Sequence, residues 1–278
     1  MCWRGCLICN DARASGRNKL FLLLLDRAYI VWHEAMPMIP ARERPAGSAA
    51  LLPVVRRDLP VDRVRTDPLL KADPAAMQGL ASRCLKVGRG GVAAVGVVSL
   101  CHGDGATTIA RSLAGCLAGS FGKRVVLVEA NLRSPCLRET LGLAGGPGLS
   151  DVLAGAASLE STLRAPRGLG SMLVLPASTL PAGNPAALPG RALKQAMTEL
   201  FAYADVLVFD LAPILPYPDT GMLCGTLDGV ALVLRAGQSR RSDSIHAIKA
   251  LQAEGVTVLG AVLNRERSYI PGFIERML

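Results

Sequence analysis

Val92-Ala-Ala-Val-Gly-Val-Val-Ser-Leu-Cys-His-Gly-Asp-Gly-Ala-Thr-Thr108 is the stretch that decides the fold. Val92–Leu100 is almost wholly apolar and short, the pattern of a strand covered on both faces. Gly103 and Gly105 then allow a tight turn. From Thr107 to Phe121, the residues Ile109, Leu113, Leu117 and Phe121 recur at spacing four, one stripe of an amphipathic helix.

Working outward, the same alternation continues to the C-terminal end. Val125–Ala130 (VVLVEA), Met172–Leu175, Val206–Leu211 (VLVFDL), Val230–Leu234 (VALVL) and Val256–Leu263 (VTVLGAVL) read as further strands. Arg191–Tyr203 reads as a helix with Leu193, Met197, Leu200 and Phe201 on one face, and Ser242–Glu254 as another. Repeated strand–helix–strand order predicts an α/β fold, a doubly wound and mostly parallel sheet flanked by helices. No internal repeat is visible.

Upstream the character changes. Residues 39–75 carry Pro40, Pro45, Pro53, Pro60, Pro68 and Pro74 among arginines and aspartates, which reads as an extended linker. A short helix is expected from Pro74 to Lys86. Residues 1–35 hold both tryptophans and no sustained period, and Met36 or Met38 would each make a sensible start, so 1–35 is read as an over-called leader. The division expected is therefore 1–75 as leader and linker without regular structure, and 76–278 as the folded domain.

Half the 278 residues are hydrophobic and 19% are charged, an ordinary globular mix. No apolar run approaches the roughly 20 residues of a membrane helix, and the chain is read as cytoplasmic. The net charge of +9 sits mostly in residues 1–91, with 15 Lys/Arg against 8 Asp/Glu. The remainder has 16 against 14. Basic clusters with aromatic neighbours on folded elements are absent, so no nucleic-acid partner is expected. Cys84, Cys116 and Cys224 lie in apolar stretches and are expected to pack as small hydrophobes. Cys2, Cys6 and Cys9 have a spacing also used by radical-type iron–sulfur sites, but no barrel pattern surrounds them.

In a doubly wound sheet, ligands lie beyond the carboxyl ends of the strands. Three such ends carry polar residues. The first is the turn Gly103-Asp104-Gly105-Ala106 leading into Thr107 and Thr108, where backbone N–H groups and a helix N-terminus can converge on an anion. A working P-loop has Lys where this chain has Ala106, and Gly-x-Gly alone fits a structural turn equally well. The second is Glu129-Ala-Asn131-Leu-Arg133-Ser-Pro135. The third is Asp210, either a ligand of magnesium-bound water or a strand-end carboxylate satisfied by the helix at Thr107.

These motifs, in this order, resemble the cytoplasmic domain of the bacterial tyrosine autokinases that govern capsule and exopolysaccharide export, within the MinD/ParA-like P-loop class. The family reads roughly Ser-x-x-Pro-Gly-Glu-Gly-Lys-Ser/Thr where this chain has Ser99–Thr107, and Asp-x-Asp-x-Arg-x-Pro where it has Glu129–Pro135. The Gly-Leu-Ser-Asp-Val-Leu-x-Gly segment is reproduced at Gly148–Gly155, and Leu175-Pro176 with Asn184-Pro185 loosely match a further stretch. Asp210–Pro213 matches the family's Asp-x-x-Pro. The resemblance implies ATP or ADP with Mg²⁺ as cofactor, bound by Gly103, Asp104, Gly105, Ala106, Thr107, Thr108, Arg133 and Asn264. Thr107 and Asp210 would hold the metal, and Asn264 would contact the adenine.

The departures point to impaired chemistry. Ala106 removes the phosphate-binding cation, Asn131 cannot act as a base, and Glu129 is one methylene longer than Asp. Arg133 is expected either to swing toward phosphate or to remain a surface Arg, and His102 to be a solvated loop residue. The family's Glu-x-x-Arg-x-x-Arg contact helix is reduced to Met77, Leu80 and Arg83, which weakens the expectation of a homo-oligomer. Its C-terminal tyrosine cluster is reduced to Tyr269. Ile270, Phe273, Ile274 and Leu278 form an apolar stripe that would cap the core or dock on a partner. The reading is a regulatory or scaffolding subunit at the inner face of the bacterial membrane, with a polysaccharide co-polymerase as partner. The alternatives are an active tyrosine kinase or ATPase, a MinD/ParA-like positioning factor, or a cellulose-synthesis accessory ATPase.

Overall fold

The computed structural model describes residues 73–88, 90–166, 171–178 and 190–266, together with the backbone of 20–23, 29–33 and 61–62. Strands β1 (Leu20–Leu23), β2 (Tyr29–His33) and β3 (Val61–Asp62) precede helix α1 (Pro74–Val87). The alternation then runs β4 (Ala93–Ser99), α2 (Ala106–Gly119) and β5 (Val125–Glu129). Short helices α3 (Leu137–Leu141), α4 (Leu149–Leu153) and α5 (Leu159–Thr162) lead to β6 (Ala165–Pro166) and β7 (Met172–Leu175). The chain continues through α6 (Gly190–Leu200), β8 (Val206–Asp210), α7 (Asp219–Cys224), β9 (Gly229–Arg235), α8 (Arg241–Ala253) and β10 (Val258–Asn264).

Six of these strands are parallel, in the order β10-β9-β4-β8-β5-β7. This is the doubly wound sheet that the alternation predicts, and every expected strand and long helix is present to within a few residues. β2 pairs antiparallel with β10, and β1 with β2. Together with β3, which pairs parallel with β6, these two strands fall in the stretch expected to lack regular structure. Apart from these strands and residues 73–75, the leader and linker, together with Asn184-Pro185, Tyr269 and the C-terminal apolar stripe, lie outside the described residues.

The β4, β5 and β8 strands are buried at every position, which is why they read as apolar runs and not as alternations. One face packs under α1 and α2, with Val95, Val97, Leu127 and Val208 against Leu80, Ile109, Leu113 and Leu117. The opposite face packs under α6 and α8, with Val98, Val128 and Phe209 against Leu193, Met197, Leu200 and Leu251. Cys84, Cys116 and Cys224 are buried thiols within these layers, as expected.

Helix α1 begins where the sequence provides a cap. Asp73 accepts hydrogen bonds from the N–H groups of Ala75 (3.3 Å) and Ala76 (3.0 Å), and Pro74 occupies the first turn. Met77 and Leu80 of this helix are fully buried, so the two positions where the resembling family has polar contact residues face the core here. Arg83 Nη1 donates to the Leu259 carbonyl at 2.7 Å and fastens the helix to β10.

Candidate functional site

The loop between β4 and α2 leaves the sheet at its carboxyl edge, between the ends of β8 and β9. Gly103 (φ 81°) and Gly105 (φ 101°) take left-handed conformations that other residues resist. Gly105 has a second requirement: a Cβ there would lie 2.1 Å from Asn264 Nδ2. Asp104 is turned inward. Its carboxylate accepts from the Cys101 N–H at 2.8 Å, while its carbonyl accepts from Asn264 Nδ2 at 2.8 Å. The loop is thus fastened by its own residues, and α2 starts at Ala106 with no side-chain cap on its first N–H groups. Free N–H groups at the start of a 14-residue helix favour an anion there.

Asp210, at the end of β8, is 1% exposed, and neither carboxylate oxygen has a hydrogen-bond partner. Burial pushes its pKa up to about 7. The Thr107 hydroxyl works in the opposite direction without closing into a bond of ordinary geometry, and the Glu129 charge raises it further. Buried carboxylates are ordinarily paired, and this one leaves both oxygens open to a cation or its water. The half-buried Thr107 hydroxyl completes a donor set that fits Mg²⁺. Among the described residues no three His, Cys, Asp or Glu side chains could hold a metal together, so phosphate oxygens and water would supply the remaining ligands.

Glu129 behaves differently. Its Oε1 accepts from the N–H groups of Cys136 (2.5 Å) and Leu137 (2.6 Å), and its Oε2 accepts from Ala177 (2.9 Å). The carboxylate caps α3 and holds the chain leaving β7, so three backbone donors occupy it. Asn131 is nearly buried, and its Oδ1 accepts from the Ser134 N–H at 3.3 Å, closing the turn after β5.

Arg133 is not aimed at the cradle. It pairs with Asp219 at 2.8 Å and lies 4.1 Å over the Tyr217 ring. Tyr217 in turn meets His102, with Nε2 and the phenol oxygen 3.0 Å apart and the rings edge to face. The structure therefore places Arg133 and His102 in one cluster with the loop after β8, where the sequence left them as isolated loop residues. Thr108 is exposed, and its carbonyl accepts from Ser112 Oγ at 2.9 Å within α2.

Sequence reasoning passed over two neighbours of the cradle. Cys136 Sγ lies 3.8 Å from Thr107 Oγ1, and burial, with Asp210 and Glu129 nearby, holds its thiol above the ordinary range. Arg235 ends β9 and brings Nη1 to 3.9 Å from the place where a Gly103 Cβ would stand. The signal for Arg235 was available: it ends an apolar strand, as Asp210 does.

No protein-family model matches the chain. It is 30% identical over 171 residues to the tyrosine-protein kinase YwqD of Bacillus subtilis, covering 62% of this chain and 71% of that kinase. The chain belongs to the bacterial tyrosine-protein kinase family. A second relative is EpsB of Ralstonia nicotianae, 34% identical over 166 residues, where the match covers 58% of this chain and only 21% of EpsB. Among solved structures, the kinase domain of the Escherichia coli tyrosine kinase ETK superposes with a TM-score of 0.62 at 22% identity, covering 74% and 84% of the two chains. The septum site-determining protein MinD of Pyrococcus horikoshii, solved with Mg-ADP, gives a TM-score of 0.52 at 25% identity over 61% and 69%. The bacterial tyrosine kinase fold on a MinD-like sheet is thereby established for this chain, as the motif order implied. Among the described residues no helix is long and apolar enough to cross a membrane.

Proposed function

We propose that the chain is a regulatory or scaffolding member of the bacterial tyrosine kinases, acting in exopolysaccharide or capsule synthesis and export at the inner face of the membrane. It binds ATP or ADP with Mg²⁺ weakly and turns it over slowly or not at all. The observation that carries this reading is the combination at one strand edge of an intact glycine cradle, an unpartnered buried Asp210 and Ala106 in the lysine position.

Backbone N–H groups and a helix terminus hold phosphate without any side-chain cation. Efficient phosphoryl transfer needs more, because charge builds on the transferred group and must be met by fixed cations. Asp210 and Thr107 would hold Mg²⁺, which neutralises phosphate charge when bound. Gly103 to Thr107 would cradle the phosphates, and Asn264 would border the base while fastening the loop. Glu129 is occupied by backbone donors and Asn131 has no titratable proton, so neither supplies a base. A bound nucleotide then sets a shape that a partner reads, and the partner favoured by the family's role is a membrane polysaccharide co-polymerase.

The test is calorimetric titration of Mg-ATP and Mg-ADP into the full chain beside an Ala106→Lys variant, with phosphate release followed in parallel. Weak binding by the natural protein and negligible turnover, with affinity raised roughly ten- to a hundred-fold by the new lysine, is the expected result. Turnover by the natural protein at the rate of an ordinary kinase, about 1–100 per second, would replace this reading with that of an active enzyme. Incorporation of phosphate into Tyr269 would be the accompanying sign.

A further inference from the structure

Ala106 leaves the cradle without the cation that a P-loop ordinarily places in the first turn of its helix. Arg133, His102 and Arg235 stand around the loop. Arg133 is committed to Asp219 and to the face of Tyr217, and His102 to the Tyr217 hydroxyl. Arg235 is not committed: among the described residues its guanidinium makes no hydrogen bond or ion pair.

The sheet puts Arg235 on the correct side. Along β9, Ala231 and Val233 lie in the layer beneath α1 and α2, and the two-residue period of a strand carries Arg235 to that same face. That is the face onto which the β4–α2 loop turns. β9 is hydrogen-bonded directly to β4, with Val233 beside Ser99, so Arg235 extends past the strand end alongside the loop. Its neighbour across β10 is Asn264, the residue that fastens Asp104. The backbone N–H of Arg235 donates to Ser239 Oγ at 2.8 Å, which fixes the turn after the strand. Nη1 comes to 3.9 Å from the position of a Gly103 Cβ, over the backbone of the cradle.

We propose that Arg235 supplies the phosphate-binding cation that position 106 lacks, contacting the phosphates of a nucleoside di- or triphosphate seated on Gly103–Thr107. This rests on the reading of the loop as a nucleotide site. The unpartnered Asp210 carboxylate at the opposite side of the helix start is the independent sign that a cation-bearing ligand belongs there. A guanidinium suits the task, because its planar donors meet two phosphate oxygens at once and it stays charged at every relevant pH. Being held by a strand end and not by the helix, the guanidinium approaches from the side of the loop.

The experiment is calorimetric titration of Mg-ADP and Mg-ATP into the full chain and four variants: Arg235→Ala, Arg235→Lys, Arg241→Ala, and Ala106→Lys combined with Arg235→Ala. Arg241 is exposed at the start of α8 and controls for the loss of one positive charge elsewhere. Arg235→Ala should weaken binding roughly ten- to a hundred-fold with unchanged thermal stability. Arg235→Lys should retain part of the affinity, Arg241→Ala should bind as the natural protein does, and the double variant should recover most of the loss. If the natural protein binds and Arg235→Ala binds equally well, the assignment of Arg235 is wrong while the nucleotide site stands. If the natural protein does not bind but the double variant does, Arg235 again fails and only the scaffold of the cradle remains. If none of them binds, the nucleotide reading fails and the role of Arg235 falls with it.

Discussion

In the nucleotide-free protein, Asp210→Asn is expected to raise thermal stability at pH 8 while removing a pH dependence that the natural protein shows. The folded-state pKa of Asp210 is pushed from the ordinary 3.8 to about 7 by burial, with Glu129 adding to it. The native protein therefore holds this proton more tightly than the unfolded chain does. Stability is fully present below pH 3.8 and is lost as pH rises through 7. The full span corresponds to roughly 4 kcal/mol, at about 1.4 kcal/mol per tenfold change, of which roughly 2–3 kcal/mol falls between pH 5 and 8. An amide at the same place escapes the ionisation cost but leaves an unpaired polar group, which costs about 1–3 kcal/mol. The variant should thus be the more stable protein at pH 8 by about 1–3 kcal/mol, and lose its advantage near pH 5. For a domain of this size each kcal/mol moves Tm by about 2–4 °C. Thermal unfolding in chelator, followed by circular dichroism from pH 5 to 8.5, reads the effect directly. Parallel curves for the two proteins across that range would refute the assignment of Asp210 as a buried, unpaired carboxylate.

Two further outcomes follow from the same geometry. Glu129→Gln should cost about 2–4 kcal/mol of stability, because a carboxylate bonded to three backbone N–H groups is replaced by an amide that turns a donor toward one of them; denaturant titration measures it, and a neutral result would mean these bonds contribute nothing. Gly105→Ala combines a left-handed φ of 101° with a Cβ 2.1 Å from Asn264 Nδ2, so it should lower stability by about 1–3 kcal/mol and abolish Mg-ADP binding, whereas retention of both would show that the loop relaxes freely.

The sheet was legible in the chain because every parallel strand is buried on both faces: VLVFDL and VALVL carry no alternation to confuse with a surface strand, and each is bounded by turn residues. The helical stripe from Ile109 to Phe121 read equally well, and so did the strand-end position of Asp210. Long-range fastening was invisible. That Glu129 would reach Ala177, 48 residues on, and that Asn264 would hold Asp104 across 160 residues, depend on sheet order and not on local pattern. The short helices α3, α4, α5 and α7 went unread for a different reason. Segments of four to six residues show less than two turns, too few for a period of 3.6 to appear. Arg133 and His102 were seen as residues but not as a pair, since the ring that joins them, Tyr217, sits in a loop with no motif of its own.

That ring has a mechanical consequence. His102 belongs to the loop after β4, Arg133 to the loop after β5, and Tyr217 with Asp219 to the segment that becomes α7. Loops from three different strands thus meet at one hub. α7 also carries Met222, which is 66% exposed. The phosphate loop at His102 is therefore joined through one phenol ring to the helix bearing the most exposed large apolar side chain among the described residues.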